Sequence, residues 1–356
     1  MNHLIDWHLE PDDIWEASIA SALEFARAGR PDVRAVDGQA MRLSGAGKSI
    51  ALLFFNPSLR TRTSMEVAAA RLGAHSSIIV PGQGTWGFVW EDGVRMDGGE
   101  AEHIQEAVGV LSQYFDAIGV RLFASLTNRE ADRQDLQLNR FVAAAQVPVI
   151  NLESAYYHPC QALADASTIT EHFAAGPNGG TPAGKKFVLT WAYHPKALPT
   201  AVPNSALLAA ARMGMDVTVA RPDGFELDPS VMEMARRHTT VRETNNMDEA
   251  VDGAHVVYAK AWSGAGVYTD PEAEAVLRAR HTDWCVTDKR MQRTDQGVFM
   301  HCLPVRRGVV VEDAVLDGPQ AIHLRQAAFR LYAQQAILSR LWDLPYGPSV
   351  SGLASP

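Results

Sequence analysis

Short β-rich runs alternate with helical patterns along most of this chain, and no other feature narrows its fold as much. In the first part, strands are predicted at Ser49–Phe55, Ser76–Val80, Ala117–Phe123 and Pro148–Leu152, with helical periodicity at Arg62–Leu72, Glu102–Tyr114 and Arg129–Ala145. Such alternation builds βαβ units and a mostly parallel sheet, because parallel neighbours need a long crossover. After a helical segment at Gln161–His172, the Gly- and Pro-rich stretch "HFAAGPNGGTPAGKK" (residues 172–186) breaks the chain. A second series follows, with strands at Lys186–Trp191, Asp216–Ala220, Ala254–Ala259, Trp284–Val286 and Val298–Cys302. Its helices are expected at Ser205–Met213, Pro229–Arg237 and Pro271–Arg280, and Gln326–Trp342 reads as a C-terminal helix. A chain of 356 residues exceeds one ordinary core, so two α/β domains are expected. Ligands of such sheets bind beyond the carboxyl ends of the strands.

A net charge of −9 argues against a general nucleic-acid or acidic-membrane binder, which needs a basic face. Three cysteines without a CxxC pair fit a reducing compartment. The opening "MNHLIDWHLEPDD" lacks a signal pattern, and no apolar run approaches the roughly 18 residues of a membrane span. A soluble, cytoplasmic protein is expected.

Against that acidic background, a cluster of arginines is informative. "FFNPSLRTRTS" (residues 54–64) follows the first strand and opens a helix. A helix N-terminus offers unpaired N–H groups and a positive dipole end. Ser58, Thr61 and Thr63 add hydroxyls, and Arg60 and Arg62 add forked cations. The combination suits a phosphate; the alternative is a capped helix with solvated arginines. "GAGKS" (residues 45–49) is no P-loop, since Arg42 stands where the motif needs Gly and a strand follows the Lys-Ser.

Other strand ends carry polar groups too. "YYHPCQAL" places His158, Cys160 and Gln161 after a strand ending near Glu153. No second ligand pair has metal spacing, so hydrogen bonds from His158 and Gln161 to a polarised carbonyl are the reading, with a capped helix start as the alternative. "FMHCLPVRRG" brings His301, Cys302, Leu303, Arg306 and Arg307; "VVYAKAW" brings Lys260 and Trp262; "DAIGVRLF" brings Arg121. Each alone has an ordinary structural explanation, but five strand ends bearing Arg, Lys or His point to an anionic ligand. Trp86 and Trp90 sit in the glycine-rich loop "PGQGTWGFVWEDG", as ligand or subunit anchors or as residues packed back on the domain.

"SLRTRTS", "HPCQ" and "HCLP", in this order and spacing, resemble the aspartate/ornithine carbamoyltransferases from about residue 40 to 343. The resemblance implies two parallel-sheet α/β domains with the site between them: 1–154, completed by a C-terminal helix 323–343, binds carbamoyl phosphate, and 155–322 binds the amine substrate. It implies a homotrimer and transfer of a carbamoyl group to an amine without metal or organic cofactor. By the family pattern, carbamoyl phosphate is held by Ser58, Leu59, Arg60, Thr61, Arg121, His158, Gln161, Cys302, Leu303 and Arg330, with Trp86 reaching the neighbouring subunit's site. Arg60, Thr61, Arg121, His158 and Cys302 carry the catalytic roles. The C-terminal "RQAAFR" departs from the acidic residues that usually precede the family's Arg.

Ornithine enzymes hold the free α-amino group with an Asp-containing loop ending in Ser-Met-Gly. Here "YAKAW" stands instead, and Lys260 repels an ammonium. With "TWAYHPKALPTAVPNS", it resembles the N-acylornithine branch, whose proline-rich loop is threaded into a knot. By that resemblance the acetyl enzymes carry Glu immediately before "EH", where this chain has Ala101 in "MDGGEAEH". Ala leaves space and no charge for a succinyl carboxylate, whose repulsion by a Glu at about 4 Å would cost several kcal/mol near a surface. Glu100 stands beside it and is a possible replacement for the missing charge. Glu153, His194, Lys196, Lys260, Leu303 and Arg306 join Ala101 in the acylornithine site. The expected reaction is carbamoylation of N-succinyl-L-ornithine in arginine biosynthesis, with N-acetyl-L-ornithine as the rival substrate. A non-catalytic anion-binding subunit is the rival of another class.

Overall fold

The computed structural model describes residues 3–29, 45–99, 101–176 and 180–344. It divides into two compact units: Met1–Phe123 with Leu136–Ser154 and Phe329–Pro356, and Ala124–Asp135 with Ala155–Ala328. The first unit holds a four-stranded parallel sheet in the order His75–Ile79, Ser49–Phe54, Ala117–Arg121, Val149–Glu153. Ser49–Phe54 is a near-continuous apolar run buried along its length, as a strand covered on both faces requires. Leu53, Ile118, Val120, Phe141 and Val149 are among its core residues.

The second unit holds a five-stranded parallel sheet in the order Val298–Met300, Val256–Lys260, Lys186–Trp191, Asp216–Ala220, Val241–Thr244. In each sheet the strand order reverses once. The reversal lies between Ser49–Phe54 and Ala117–Arg121 in the first, and between Lys186–Trp191 and Val256–Lys260 in the second. A crevice opens beyond the carboxyl ends at such a point. The segments there are Phe55–Ser58 with Arg121, and Ala192–His194 with Lys260.

Several expected elements differ. Trp284–Val286 forms no strand; Val286 makes an isolated bridge to Val311. Val241–Thr244 is an unforeseen edge strand with exposed Arg242 and Glu243. Helix Arg129–Ala145 is two helices, Arg129–Arg133 and Leu136–Ala144, separated by Asp135 at φ 46°. Glu102–His103 pairs with Phe88–Val89, and the helix starts at Ile104. Two boundaries also differ. Residues 124–135 belong to the second unit, where the Asp132 carboxylate accepts from the backbone of Ser125 and Leu126 and from the Tyr268 hydroxyl. The division also falls inside the C-terminal helix His323–Leu341, between Ala328 and Phe329. Among the described residues, no helix is long and apolar enough to cross a membrane.

Candidate active site

In the first unit, the turn after Ser49–Phe54 is fixed by Asn56, whose Oδ1 accepts the Phe123 N–H at 2.8 Å. Ser58 Oγ then accepts the Thr61 N–H at 3.2 Å at the start of helix Arg60–Arg71, leaving the hydroxyl proton to donate. Thr61 is buried and its Oγ1 accepts from Arg330 Nη2 at 2.9 Å. This contact brings the C-terminal helix onto the Arg-rich turn, so Ser58, Thr61 and Arg330 are held together at the start of the helix that opens with Arg60. Leu59 is 71% exposed, placing its backbone, rather than its side chain, within the turn. Two expected donors are spent elsewhere. The Thr63 hydroxyl donates to the Leu59 carbonyl at 2.7 Å, and Arg62 makes an exposed ion pair with Glu66 one turn on. The phosphate reading of Thr63 and Arg62 is corrected accordingly.

Arg121 and Glu153 end neighbouring strands and are both buried. The pairing slips at this point: Val120 lies opposite Asn151, and Arg121 opposite Glu153. Such an irregularity re-aims side chains at a sheet rim. Arg121 Nη1 donates to Glu153 Oε2, and its guanidinium stacks over the Phe123 ring at 4.4 Å. Two residues assigned to different ligands are thus held by one buried ion pair. Glu153 orients the guanidinium, whose other N–H groups point away from that bond.

The aromatic loop resolves into two roles. Trp90 packs back, 5.3 Å from Phe55 and 5.7 Å from Phe141 between ring centroids. Trp86 stays 57% exposed, with its Nε1 donating to Glu102 at 2.5 Å. That bond ties Trp86 to the strand directly after Ala101, itself exposed. Glu100 lies outside the described residues.

In the second unit, His158 caps helix Pro159–Ala174 with Pro159 at its first position, and its backbone N–H donates to Ser205 Oγ at 2.8 Å. Gln161 donates through Nε2 to Asp165 Oδ1 at 2.7 Å. That bond uses one of the two hydrogens on Nε2. Asp165 Oδ1 also accepts from Gln326 Nε2 at 2.6 Å, and Gln326 Oε1 accepts the His301 N–H at 2.9 Å. His301 Nδ1 in turn accepts the Leu303 N–H at 2.8 Å, which fixes its proton on Nε2. Its Nδ1 is committed to shaping the turn. Leu303 has φ 59°, a left-handed conformation that costs a non-glycine residue about 1–2 kcal/mol and is held by this bond. Cys302 is half-buried beside it.

The second unit's switch point gathers cations. Arg306 Nε donates to His194 Nε2 at 3.0 Å, so the His194 proton sits on Nδ1, facing the Lys196 carbonyl at 2.9 Å. Burial lowers the His194 pKa first, and Arg306, Lys260 and Arg278 lower it further. His194 is a neutral spacer beneath a cationic group. Lys196 engages it through its backbone while its side chain is exposed, and Arg307 is drawn off by Asp313 and Asp317. Trp262 is core: its Nε1 donates to Phe225 O, and its own carbonyl accepts from Trp191 Nε1. Beside it, a side chain at Gly264 would meet the Gly224 carbonyl oxygen at 2.0 Å, so only glycine fits. Among the described residues, no three His, Cys, Asp or Glu side chains cluster as metal ligands would.

Two family models match this chain: the carbamoyl-P binding domain over residues 7–171 and the Asp/Orn binding domain over residues 198–341 of the aspartate/ornithine carbamoyltransferases. The chain is 45% identical over 303 residues to the N-acetylornithine carbamoyltransferase of Xanthomonas campestris pv. campestris, covering 83% of this chain and 87% of the relative. It is 39% identical over 299 residues to the N-succinylornithine carbamoyltransferase of Bacteroides fragilis, covering 84% and 89%. It also matches the crystal structure of a glutamate-to-alanine mutant of N-acetyl-L-ornithine transcarbamylase complexed with carbamyl phosphate and N-succinyl-L-norvaline. That match has a TM-score of 0.88 at 40% identity, covering 96% of this chain and all of the other. With both domain models matched and relatives of this identity covered nearly end to end, the chain belongs to the aspartate/ornithine carbamoyltransferase family.

Proposed function

We propose that the protein transfers the carbamoyl group of carbamoyl phosphate to the δ-amine of N-succinyl-L-ornithine, giving N-succinyl-L-citrulline and phosphate for arginine biosynthesis. The observation that carries the succinyl assignment is Ala101, exposed and adjoining the Trp86–Glu102 contact. A glutamate there would meet the succinyl carboxylate; alanine does not. The relative crystallised with N-succinyl-L-norvaline after a glutamate-to-alanine change supports the same logic. The Arg306–His194 group with Lys260 nearby supplies positive charge for a substrate whose α-amine is acylated. N-acetyl-L-ornithine is the second reading, favoured by the higher identity to the acetyl enzymes, 45% against 39%.

In this mechanism Ser58, the Leu59 backbone, Arg60, Thr61 and Arg330 hold the phosphate, and Arg121 bridges phosphate and carbonyl. His158 polarises the carbonyl oxygen, a stabilisation that grows as charge develops. Gln161, with one amide N–H held by Asp165, donates the other to the carbamoyl oxygen. The neutral δ-amine's lone pair attacks the carbonyl carbon alongside Cys302 and Leu303. The C–O bond to phosphate breaks, and the phosphate departs with the electron pair and takes up the amine's proton. Trp86 reaches the site of a neighbouring subunit in a homotrimer, which accounts for its exposure.

The test is citrulline-product formation by purified protein from carbamoyl phosphate, with N-succinyl-, N-acetyl- and free ornithine in parallel. Preference for the succinyl substrate is expected. Preference for the acetyl substrate removes the Ala101 argument while leaving the transferase reading. No product with any of them, alongside measurable carbamoyl phosphate binding, favours a non-catalytic subunit.

A further inference from the structure

We infer that Ser263 is a positioning residue for the acylornithine site, its hydroxyl clipping in place the loop that presents His194 to Arg306. The inference rests on the carbamoyltransferase reading above, and every residue it uses lies in the second unit. Strands Lys186–Trp191 and Val256–Lys260 are neighbours, and just past their ends the Ala192 N–H donates to the Lys260 carbonyl at 3.0 Å. Beyond that rung both chains leave the sheet. They meet again at Leu198 and Ser263. The Ser263 N–H donates to the Leu198 carbonyl at 2.9 Å, and Ser263 Oγ accepts the Leu198 N–H at 2.9 Å. Pro199 favours an extended Leu198, and an extended residue directs its N–H and C=O to the same side, so both reach one partner. Ser263 is 5% exposed, so water competes little for these bonds.

The two rungs close a ring with unequal sides: seven residues, 192–198, against four, 260–263. The long side carries about 10 Å more of extended chain than the short one, so it must bow outward. His194, Pro195 and Lys196 stand on that bow, the last two exposed. The short side is pinned along its length. Trp262 Nε1 donates to the Phe225 carbonyl, the Trp262 carbonyl accepts from Trp191 Nε1, and the next residue after Ser263, Gly264, lies against the Gly224 carbonyl with no room for a side chain. Ser263 is thus a fixed point from which the far end of the bow is set. The bow carries the His194 ring, whose Nε2 accepts from Arg306 Nε at 3.0 Å across 112 residues of sequence. Arg306 is exposed, and its long side chain keeps one geometry only while its acceptor stays in place. Releasing Leu198 from the Ser263 hydroxyl lets the bow shift, and the cation that faces the acylated substrate shifts with it.

The experiment uses the full-length protein and the acylornithine that the wild type prefers. Wild-type turnover is established first; its absence removes the transferase reading itself. Ser263→Ala keeps the N–H bond to the Leu198 carbonyl and removes the acceptor of the Leu198 N–H. It should raise KM for the acylornithine about 10-fold, with kcat and KM for carbamoyl phosphate within about 2-fold. Ser263→Thr keeps the hydroxyl and should return KM to within about 3-fold of the wild type. In an Arg306→Ala background, where the acylornithine KM is already raised, Ser263→Ala should add less than about 2-fold, because both changes act through one contact. Ser263→Cys, whose sulfur is a weaker acceptor, carries the same test should the alanine variant not fold. The inference is overturned if the acylornithine KM is unchanged, if KM for carbamoyl phosphate rises in parallel, if threonine is as damaging as alanine, or if the serine change keeps its full effect without Arg306.

Discussion

Replacing either partner of the Arg121–Glu153 pair should destabilise the first unit far more than removing both. Both residues are buried, at 8% and 9% exposure, so neither charge is rescued by water once its partner is gone. Removing one partner of such a pair costs about 3–5 kcal/mol. For a domain of this size each kcal/mol lowers the unfolding midpoint by roughly 2–4 °C, so Glu153→Ala should lose about 6–20 °C. Arg121→Ala should lose somewhat more, since it also removes the cation over Phe123, worth about 0.5–2 kcal/mol. The double variant Arg121→Met/Glu153→Leu replaces the pair with apolar side chains and should return close to wild-type stability, giving a coupling energy of about 3 kcal/mol or more. All three should be inactive, because Arg121 is a substrate contact in the proposed mechanism. Differential scanning calorimetry on the four proteins reads the stability, and product formation reads the activity. Single losses below about 1 kcal/mol that simply add would show that the two side chains do not share one buried bond, and the assignment of Glu153 as the group orienting Arg121 would fall.

Arg60→Ala should abolish most turnover with little change in melting temperature; near-normal activity would refute its phosphate role. Arg62→Ala breaks only an exposed pair with Glu66 and should leave activity within about 2-fold and stability within about 0.5 kcal/mol. Ala101→Glu should reverse the substrate preference, lowering the succinyl-to-acetyl ratio of kcat/KM by about 100-fold or more; an unchanged ratio would sink the specificity argument. Acid should destabilise the fold above the range where carboxylates titrate. Burial lowers the pKa of His172, His194, His255 and His323 below the ordinary value of about 6.5, so below that pH the unfolded chain binds protons the folded one refuses. This stability is fully present above about pH 7 and is lost as the pH falls from about 6.5 through the lowered values. A melting temperature that holds or rises between pH 7 and 5.5 would contradict it.

The parts of the fold legible in the sequence were those with one dominant local cause. Ile50–Phe54 is an unbroken apolar run and Phe187–Trp191 is broken only by Thr190, and burial on both faces produces such near-continuous patterns. Val241–Thr244 lies at a sheet edge, where Arg242 and Glu243 stay in water and blur the signal. The segment 124–135 groups with the second unit through long-range ties, from Asp132 to Tyr268 and from Arg133 to Asp228. No window of neighbouring residues carries that information.

The site shows the same division with one instructive exception. Motif order located the strand ends, yet Gln161 is bonded to Asp165, which also accepts from Gln326, a residue no local motif singles out. The pairing of Arg121 with Glu153 depends on a slip in strand register that sequence does not announce. The overcounting of donors at the Arg-rich turn is different, because its cause was readable. Successive helical residues turn by about 100°, so Arg60 and Arg62 point about 200° apart and cannot both face one ligand. Glu66 stands four residues after Arg62, a spacing that predicts the surface pair. Thr63 and Ser64 sit inside the first turn, where hydroxyls return to the backbone carbonyls of Leu59 and Arg60. Helical geometry alone therefore reduces the cluster to Ser58, Arg60 and Thr61, and the remaining cation, Arg330, comes from 269 residues beyond Thr61. If this turn holds the phosphate as proposed, its cradle is complete only when the C-terminal helix is docked, because Arg330 reaches Thr61 from that helix.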